Sequence, residues 1–284
     1  MEPNVRLVSL PERAVDGNKG TFGCVTVVGG CENYPGAPIL CGKAAYRVGC
    51  GLVELVVPEI VRNCGASGFT EAVWNCTAFA AGLVPERNNC VTVIGPGLGT
   101  APETAEKLPL LIQSASLFSR QIILDADALN LLSRDPEWFA KVPQGCILTP
   151  HPGEMARLTG LTVKEVQEGR AKLALRKSEE WGQIVLLKGA NTVIASPDGF
   201  YVILPYATSA LSVAGSGDVL AGIIAGFAAQ GKPAFDAAWL GGEIHARAGL
   251  LAAAAFGNEY SVMAGDLIAH IPEAVTNYPS SGQK

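Results

Sequence analysis

Residues 121–133 read QIILDADALNLLS. An apolar, β-branched run stops at Asp125, and a second acid, Asp127, opens a segment with apolar residues at helical spacing. The spacing predicts a strand over 121–126, a tight turn, and a helix over 126–133. A strand that is apolar on both faces, rather than alternating, belongs to a parallel sheet covered on both sides. The same unit recurs outward from this point. Strands are predicted at CVTVVG (24–29), LVELVVP (52–58), CVTVIG (90–95), CILTP (146–150) and QIVLLKG (183–189). Helical patterns fill 36–49, 102–117, 152–159 and 163–181 between them. This rhythm predicts an α/β fold with a mostly parallel central sheet and helices on both faces. TVIAS (192–196) and FYVIL (200–204) flank Pro197-Asp198-Gly199, a tight-turn signal that reads as a hairpin. The remainder is helical at 217–230, 233–255 and 263–270. No Pro/Ser-rich linker and no internal repeat divides the chain, so one domain over 1–284 is expected.

Composition narrows the function classes. Of 284 residues, 49% are hydrophobic and 17% charged, enough for a large core, and 33 glycines allow close helix–sheet packing. The net charge of -5 and the absence of any Lys/Arg-rich run argue against a nucleic-acid partner, which needs a basic face. A small anion remains compatible, because single lysines and backbone amides suffice to bind it. The first twenty residues lack the apolar core of a secretion signal, and no uncharged apolar stretch reaches the roughly 18 residues of a membrane span. The 8 cysteines all fall in the first 146 residues, and none forms a Cys-x-x-Cys pair, so zinc and thioredoxin readings lack their spacing. Small, buried, reduced core cysteines without disulfides are expected, and with them a cytoplasmic location.

In open α/β sheets, ligands bind beyond the carboxyl ends of the strands. The unusual residues of this chain all follow strands: Gly95-Pro96-Gly97-Leu98-Gly99, Asp125-Ala126-Asp127, His151-Pro152-Gly153-Glu154 and Lys188-Gly189-Ala190. A further turn, SVAGSGD (212–218), leads into the apolar helix 217–230. The first amides of a helix lack intrahelical partners and carry the positive end of its dipole, so Gly215, Ser216 and Gly217 form a candidate anion hole. Asp218 beside it is either an ordinary first-turn acid or cap, or a base that takes a proton from a hydroxyl attacking phosphorus. Neither a Walker-type loop nor a strand–GxGxxG–helix fingerprint is present. Lys188 marks either the point where its strand reaches solvent or, with Gly189, Ala190, Asn191 and Thr192, the lining of a nucleotide site. His151, stiffened between Pro150 and Pro152, either contacts a ligand or bonds a nearby carbonyl. Glu154 and Asp127 are candidate helix caps. Asp125 is placed to face the site or a hydrated metal ion. His245 and His270, inside helical patterns, read as structural.

Taken together, GTFGCVTVVGG (20–30), YPGAPILCGKAAYRVGCGLVELVVP (34–58), VIGPGLG (93–99), ILDADALNLL (123–132), LTPHPGEMARLTG (148–160), VLLKGANTVIASPDG (185–199) and AGSGDVLAGIIAGFAAQG (214–231) resemble the ADP- or ATP-dependent NAD(P)H-hydrate dehydratases of the ribokinase-like superfamily. The resemblance implies a ribokinase-like three-layer α/β/α sandwich. It also implies repair of the hydrated forms of NADH and NADPH, with ADP or ATP as phosphoryl donor and Mg2+ as its charge partner. Carried over by motif, Gly217 and residues 188–192 contact the adenine nucleotide. Ala37, Gly97, Gly99, His151 and Asp218 contact the hydrate, and Asp218 is catalytic. No metal ligand from the protein is implied. The same resemblance implies a homo-oligomer and a stand-alone dehydratase working beside a separate NAD(P)H-hydrate epimerase, for which 284 residues leave no room. The chain departs from the family pattern NPTGNPGMATGGSGD, reading LPYATSALSVAGSGD at 204–218. Ala207-Thr208 replace Gly-Asn, Val213 replaces Thr, and Ala214 replaces Gly; the lost hydroxyl and amide bear on nucleotide affinity. A vitamin-alcohol kinase of the same fold and a catalytically impaired nucleotide-binding regulatory protein are the alternatives.

Overall fold

The order of the strands follows from their character. In a computed structural model describing residues 8–87 and 89–279, each apolar run forms a strand of one nine-stranded sheet. In chain order the elements begin with β1 (Cys24–Val28), α1 (Ala37–Arg47), β2 (Leu52–Val56), α2 (Glu59–Gly65), β3 (Val73–Trp74), α3 (Cys76–Ala81) and β4 (Cys90–Ile94). Next come α4 (Pro102–Phe118), β5 (Ser119–Leu124), α5 (Asp127–Leu132), β6 (Ile147–Leu148), α6 (Pro152–Thr159), α7 (Val163–Glu168), α8 (Arg170–Trp181) and β7 (Ile184–Leu187). The chain closes with β8 (Val193–Ala195), β9 (Tyr201–Ile203), α9 (Ser216–Ala229), α10 (Ala234–Phe256) and α11 (Ala264–Thr276). The sheet order is β3-β2-β1-β4-β5-β6-β7-β8-β9. All pairs from β3 to β7 are parallel, and the predicted hairpin adds β8 and β9 antiparallel.

Successive strand residues face opposite sides, so a strand apolar throughout feeds two cores. Val25, Val27, Val53, Leu55, Val93 and Ile123 pack with α1, α9, α10 and α11 on one face. Val28, Val56, Ile94, Leu124, Leu148 and Leu187 pack with α4, α5, α6 and α8 on the other. Three layers, α/β/α, result. Parallel strands bring the turns after β4, β5, β6 and β7 to one edge of the sheet. Gly95 there has φ +128, and a Cβ on it would lie 1.8 Å from the Asp125 carbonyl, so the turns after β4 and β5 touch backbone to backbone. Helix α9 spans the whole face. Its last residue, Ala229, lies against Gly23 just ahead of β1, whereas Gly217 in its first turn lies against Lys188 just after β7. Its amino end therefore arrives at the same edge as the four turns.

Several expectations need correction. Residues 59–81, left without elements by the sequence, hold α2, α3 and the edge strand β3, all too short to show a period. The helix over 163–181 is two helices broken at Gly169, the first with its own capping box between Thr162 and Glu165. The strand over 146–150 keeps only Ile147 and Leu148 in the ladder, and the strand at 121–126 starts instead at Ser119. Helix α11 continues past 270, through Pro272, because Leu267, Ile271 and Ala274 are fully buried on its inner face. The expected absence of disulfides is overturned: Cys24 and Cys90 are bonded. They are register partners on neighbouring parallel strands, 4.4 Å apart at Cα, a relation invisible in linear spacing. Of the free cysteines, Cys41, Cys50 and Cys146 are buried as expected, but Cys64 is exposed. No helix among the described residues is long and apolar enough to cross a membrane.

Close approach of α9 to α1 depends on missing side chains. A Cβ on Gly222 would sit 2.1 Å from the Cys41 carbonyl oxygen, and one on Gly226 would sit 2.3 Å from Val48. Gly222→Ala is expected to lower stability by roughly 1–3 kcal/mol through overpacking, despite the ~1 kcal/mol that alanine gains in helix propensity. Gly265→Ala in the first turn of α11, with no atom within 4 Å of the new methyl, is expected to cost nothing. Urea unfolding midpoints of the two variants check this, and equal midpoints would refute it.

Candidate active site

Helix α9 begins at Ser216 with Gly215 as its N-cap, at φ +87 and without a side-chain capping bond. A Cβ at Gly215 would lie 2.6 Å from Leu40, so the turn requires glycine both for its left-handed backbone and for space. The Ser216 amide is turned back onto the Val213 carbonyl at 3.2 Å. The amides of Gly217 and Asp218 have no backbone partner among the described residues, as expected for a helix start. Asp218 is the third residue of the helix, and it does not cap it. Its carboxylate makes no hydrogen bond or ion pair with any described residue. An acid without donors at the positive end of a helix, facing a cleft, is placed to receive something the protein does not supply.

Next to it stands Lys188, at the end of β7. Its Nζ donates to Asp125 Oδ1 at 2.9 Å and lies 3.6 Å from Glu154 Oε2. Nζ is also 3.3 Å from where a Gly217 Cβ would be. The side chain is only 17% exposed, which rules out the reading in which Lys188 marks the strand's exit to solvent. Arg170 of α8 donates to the carbonyls of Leu187 and Lys188 at 2.9 and 3.2 Å and so fixes the end of the strand. Asp125 also accepts from Thr149 Oγ1 at 2.7 Å. Glu154 accepts the His151 amide at 2.7 Å, while His151 Nδ1 accepts the amides of Gly153 and Glu154, a reciprocal box that starts α6. The stiff Pro-His-Pro segment thus caps its own helix and still lines the cleft.

One ammonium faces three carboxylates in a desolvated site, and the proton affinities follow. Burial pushes Asp218 up to about 7, with Asp125 adding to the rise and Lys188 opposing it. Burial also raises Glu154 against the pull of Lys188. Burial alone would lower Lys188, but Asp125, Glu154 and Asp218 outweigh it, so the lysine is raised and stays charged. His151 is driven down to about 4 by burial, Lys188 and Arg157, and is neutral.

These residues line a cleft of about 410 Å³. It brings together the predicted His151, Lys188, Gly189, Ala190, Thr192, Gly215, Ser216, Gly217 and Asp218. Asn191 is not in the lining; at φ 53 it turns the chain, and its amide bonds the Tyr206 carbonyl at 2.8 Å. Ala37, Gly97 and Gly99 also stand outside this lining. Gly97 packs on Tyr34 and Ala37, and the Gly99 amide donates to Asp127 Oδ2 at 2.8 Å. Asp127 therefore ties the turn after β4 to the one after β5 and does not cap α5, whose N-cap is Ala126. Asp125, expected to face the site or a metal, is in the lining of this cleft, where it accepts from Lys188 and Thr149. No group of three or more His, Cys, Asp or Glu among the described residues is arranged to hold a metal ion. His270 bonds the Asp266 carbonyl inside α11 and is structural, as read. His245, read as structural, reaches the cleft from the middle of α10 and meets Ser216 Oγ at 2.9 Å. Tyr206, also in the lining, donates to Glu243 at 2.7 Å. Neither carries a local signal, since each is brought in by a packing partner remote in sequence.

The family model described as NAD(P)H-hydrate dehydratase matches residues 25–273. The chain is 38% identical over 263 residues to an ADP-dependent (S)-NAD(P)H-hydrate dehydratase of Neisseria meningitidis, covering 90% of this chain and 86% of that one. It is 40% identical over 279 residues to a bifunctional NAD(P)H-hydrate repair enzyme of Moorella thermoacetica, covering 94% of this chain but 52% of that protein. The chain thus spans about half the length of that bifunctional relative. Its fold matches the ADP/ATP-dependent NAD(P)H-hydrate dehydratase of Bacillus subtilis, co-crystallised with ATP/Mg2+, with a TM-score of 0.85 at 29% identity over 95% of each chain. The architecture is ribokinase-like. With the family model spanning every strand-end turn that builds the cleft, the chain belongs to the NAD(P)H-hydrate dehydratase family.

Proposed function

We propose that this chain restores NADH or NADPH from the hydrated dihydronicotinamide, at the expense of ADP or ATP. The observation that carries the reading is Asp218: an acid with a raised proton affinity and no protein partner, beside the free amides of the α9 amino end. The ring hydroxyl of the hydrate gives its proton to the Asp218 carboxylate as its oxygen attacks the terminal phosphorus of the nucleotide. An O–P bond forms, the bond to the departing AMP or ADP breaks, and the amides of Gly217 and Asp218 with the Lys188 ammonium stabilise the charge on the transferred group. The ring C–O bond then breaks with phosphate as leaving group, the ring nitrogen supplying the electron pair. Loss of a proton from the adjacent carbon restores the double bond. Phosphate leaves more readily than hydroxide, which is what the nucleotide contributes.

Mg2+ in this reading is carried by the nucleotide phosphates. Asp125, Asp127 and Glu154 are already engaged by Lys188, by the Gly99 amide and by the His151 amide, so the described residues offer no cage of their own. Gly189, Ala190 and Thr192 form the wall for the nucleoside, and His151 faces the hydrate. Val213 lies in the same lining without the hydroxyl that the family pattern places there. An epimerase acting on the same damaged cofactor is the partner the reading implies.

The direct test mixes the protein with hydrated NADH, Mg2+ and either ADP or ATP and follows the absorbance of the restored dihydronicotinamide. Recovery is expected, and its absence with both nucleotides would refute the proposal. Asp218→Asn should lower kcat by about 100-fold or more, the range for a general base, with nucleotide binding intact. For the unmodified protein, kcat/KM for the hydrate should rise with pH and level off above about 7, as Asp218 loses its proton. A flat profile between pH 5 and pH 8 would remove Asp218 as the base.

The same ionisation affects stability. Asp218 binds its proton more tightly in the fold than an ordinary carboxylate does, so its contribution to stability falls as pH rises from about 4 to about 7. Asp218→Asn cannot ionise, so its gain in melting temperature over the parent should be larger at pH 8 than at pH 4. An equal difference at both would contradict the raised proton affinity.

A further inference from the structure

We propose that His245 is a positioning residue that holds the Ser216 hydroxyl as a hydrogen-bond donor to the phosphate tail of the bound nucleotide. The inference rests on the nucleotide reading of the cleft. Ser216 and His245 are 4% and 7% exposed, both line the cleft, and Oγ and Nε2 are 2.9 Å apart. Ser216 has already given its amide to the Val213 carbonyl, so its side chain is what it offers a ligand. It carries the only hydroxyl between residues 213 and 218, because Val213 has none.

A hydroxyl has one proton to give. If Ser216 donates to His245, its oxygen lone pairs face the cleft and repel an anion. If His245 donates through Nε2–H, the Ser216 proton is free to point at a phosphate oxygen. A nucleotide tail at the free amides of Gly217 and Asp218 selects the second arrangement. The imidazole is neutral, since burial holds its ionisation down to about 4, and so can adopt that tautomer. Packing fixes its place. A Cβ on Gly241, one turn before His245, would meet Ile224 of α9 at 2.3 Å, so α10 lies close enough for the ring to reach the start of α9.

Calorimetric titration of the full chain with ATP and with adenosine separates this role from simple packing. Ser216→Ala and His245→Phe should each weaken ATP binding roughly tenfold or more, in line with loss of a hydrogen bond to a charged group, and leave adenosine binding unchanged. The double variant should be no weaker than Ser216→Ala alone, since the two act as one unit. His245→Gln, whose amide N–H replaces Nε2–H, should recover most of the ATP affinity. Should His245→Phe fail to fold, Ser216→Ala and His245→Gln decide the matter. Equal losses for ATP and adenosine, additive losses in the double variant, or parental ATP affinity in Ser216→Ala would each overturn the inference while leaving the nucleotide site standing. A parent protein that binds no ATP would overturn both.

Discussion

The ammonium of Lys188 holds the edge of the sheet together. It ties the end of β7 to Asp125 after β5 and to Glu154 at the start of α6, and it lies against Gly217 in the first turn of α9. A buried cation survives only if it is paired, and removing one partner of such a pair typically costs about 3–5 kcal/mol. Here the pairing is lopsided, with three acids around one lysine. Burial and the excess negative charge raise the proton affinity of both Asp218 and Glu154, and their hydrogen bonds differ. Asp125 is stabilised by Lys188 and Thr149, and Glu154 by the His151 amide. Asp218 has no donor at all among the described residues, so its charged form has no hydrogen-bonding support. In the proposed reaction a carboxylate so placed serves as the base, because a proton arriving with a substrate supplies the support that the protein does not.

That chemistry requires the amino end of α9 to be held still. The helix is buried along nearly its whole length between α1 and α10, with Gly222 and Gly226 admitting α1 and Gly241 of α10 admitting Ile224. Donors fixed by packing need no reorganisation when charge develops, which is where electrostatic stabilisation of a transition state gains its strength. The small residues of GSGDVLAGIIAGFAAQG therefore serve two ends. The first glycines open the backbone to an anion, and the later ones set the position of that opening relative to Lys188.

The strands and their order of appearance were legible, because apolar runs bounded by Gly, Pro and Asp are local signals. So was the convergence of four turns at one edge, since parallel strands leave no other arrangement. The stretch from 59 to 81 was not, because two-residue β3 and its short flanking helices owe their form to the sheet they join. Pairings across the sheet were equally hidden: Cys24 with Cys90, or Gly99 with Asp127, depend on register. Asp218 could be narrowed to cap or base but not resolved, because the choice depends on which residue occupies the N-cap. Gly215 does, at φ +87, and that frees the acid. His245 shows the limit most clearly. Its helical pattern was read correctly, yet its hydrogen-bond partner is Ser216, 29 positions away.

The departures at 213 and 214 can now be weighed against the geometry. What residue 213 contributes to the turn is its carbonyl, which accepts the Ser216 amide, and a valine supplies that as well as a threonine. The tight contacts in the turn fall on Gly215, with Leu40 and Ala264 within 3.0 Å of its missing Cβ, and that glycine is kept. The free amides and the unpaired acid are therefore preserved by backbone terms that neither substitution touches. What Val213 removes is one hydroxyl from the cleft wall. In the proposed nucleotide site that leaves Ser216, with His245 behind it, as the hydroxyl beside the free amides of Gly217 and Asp218.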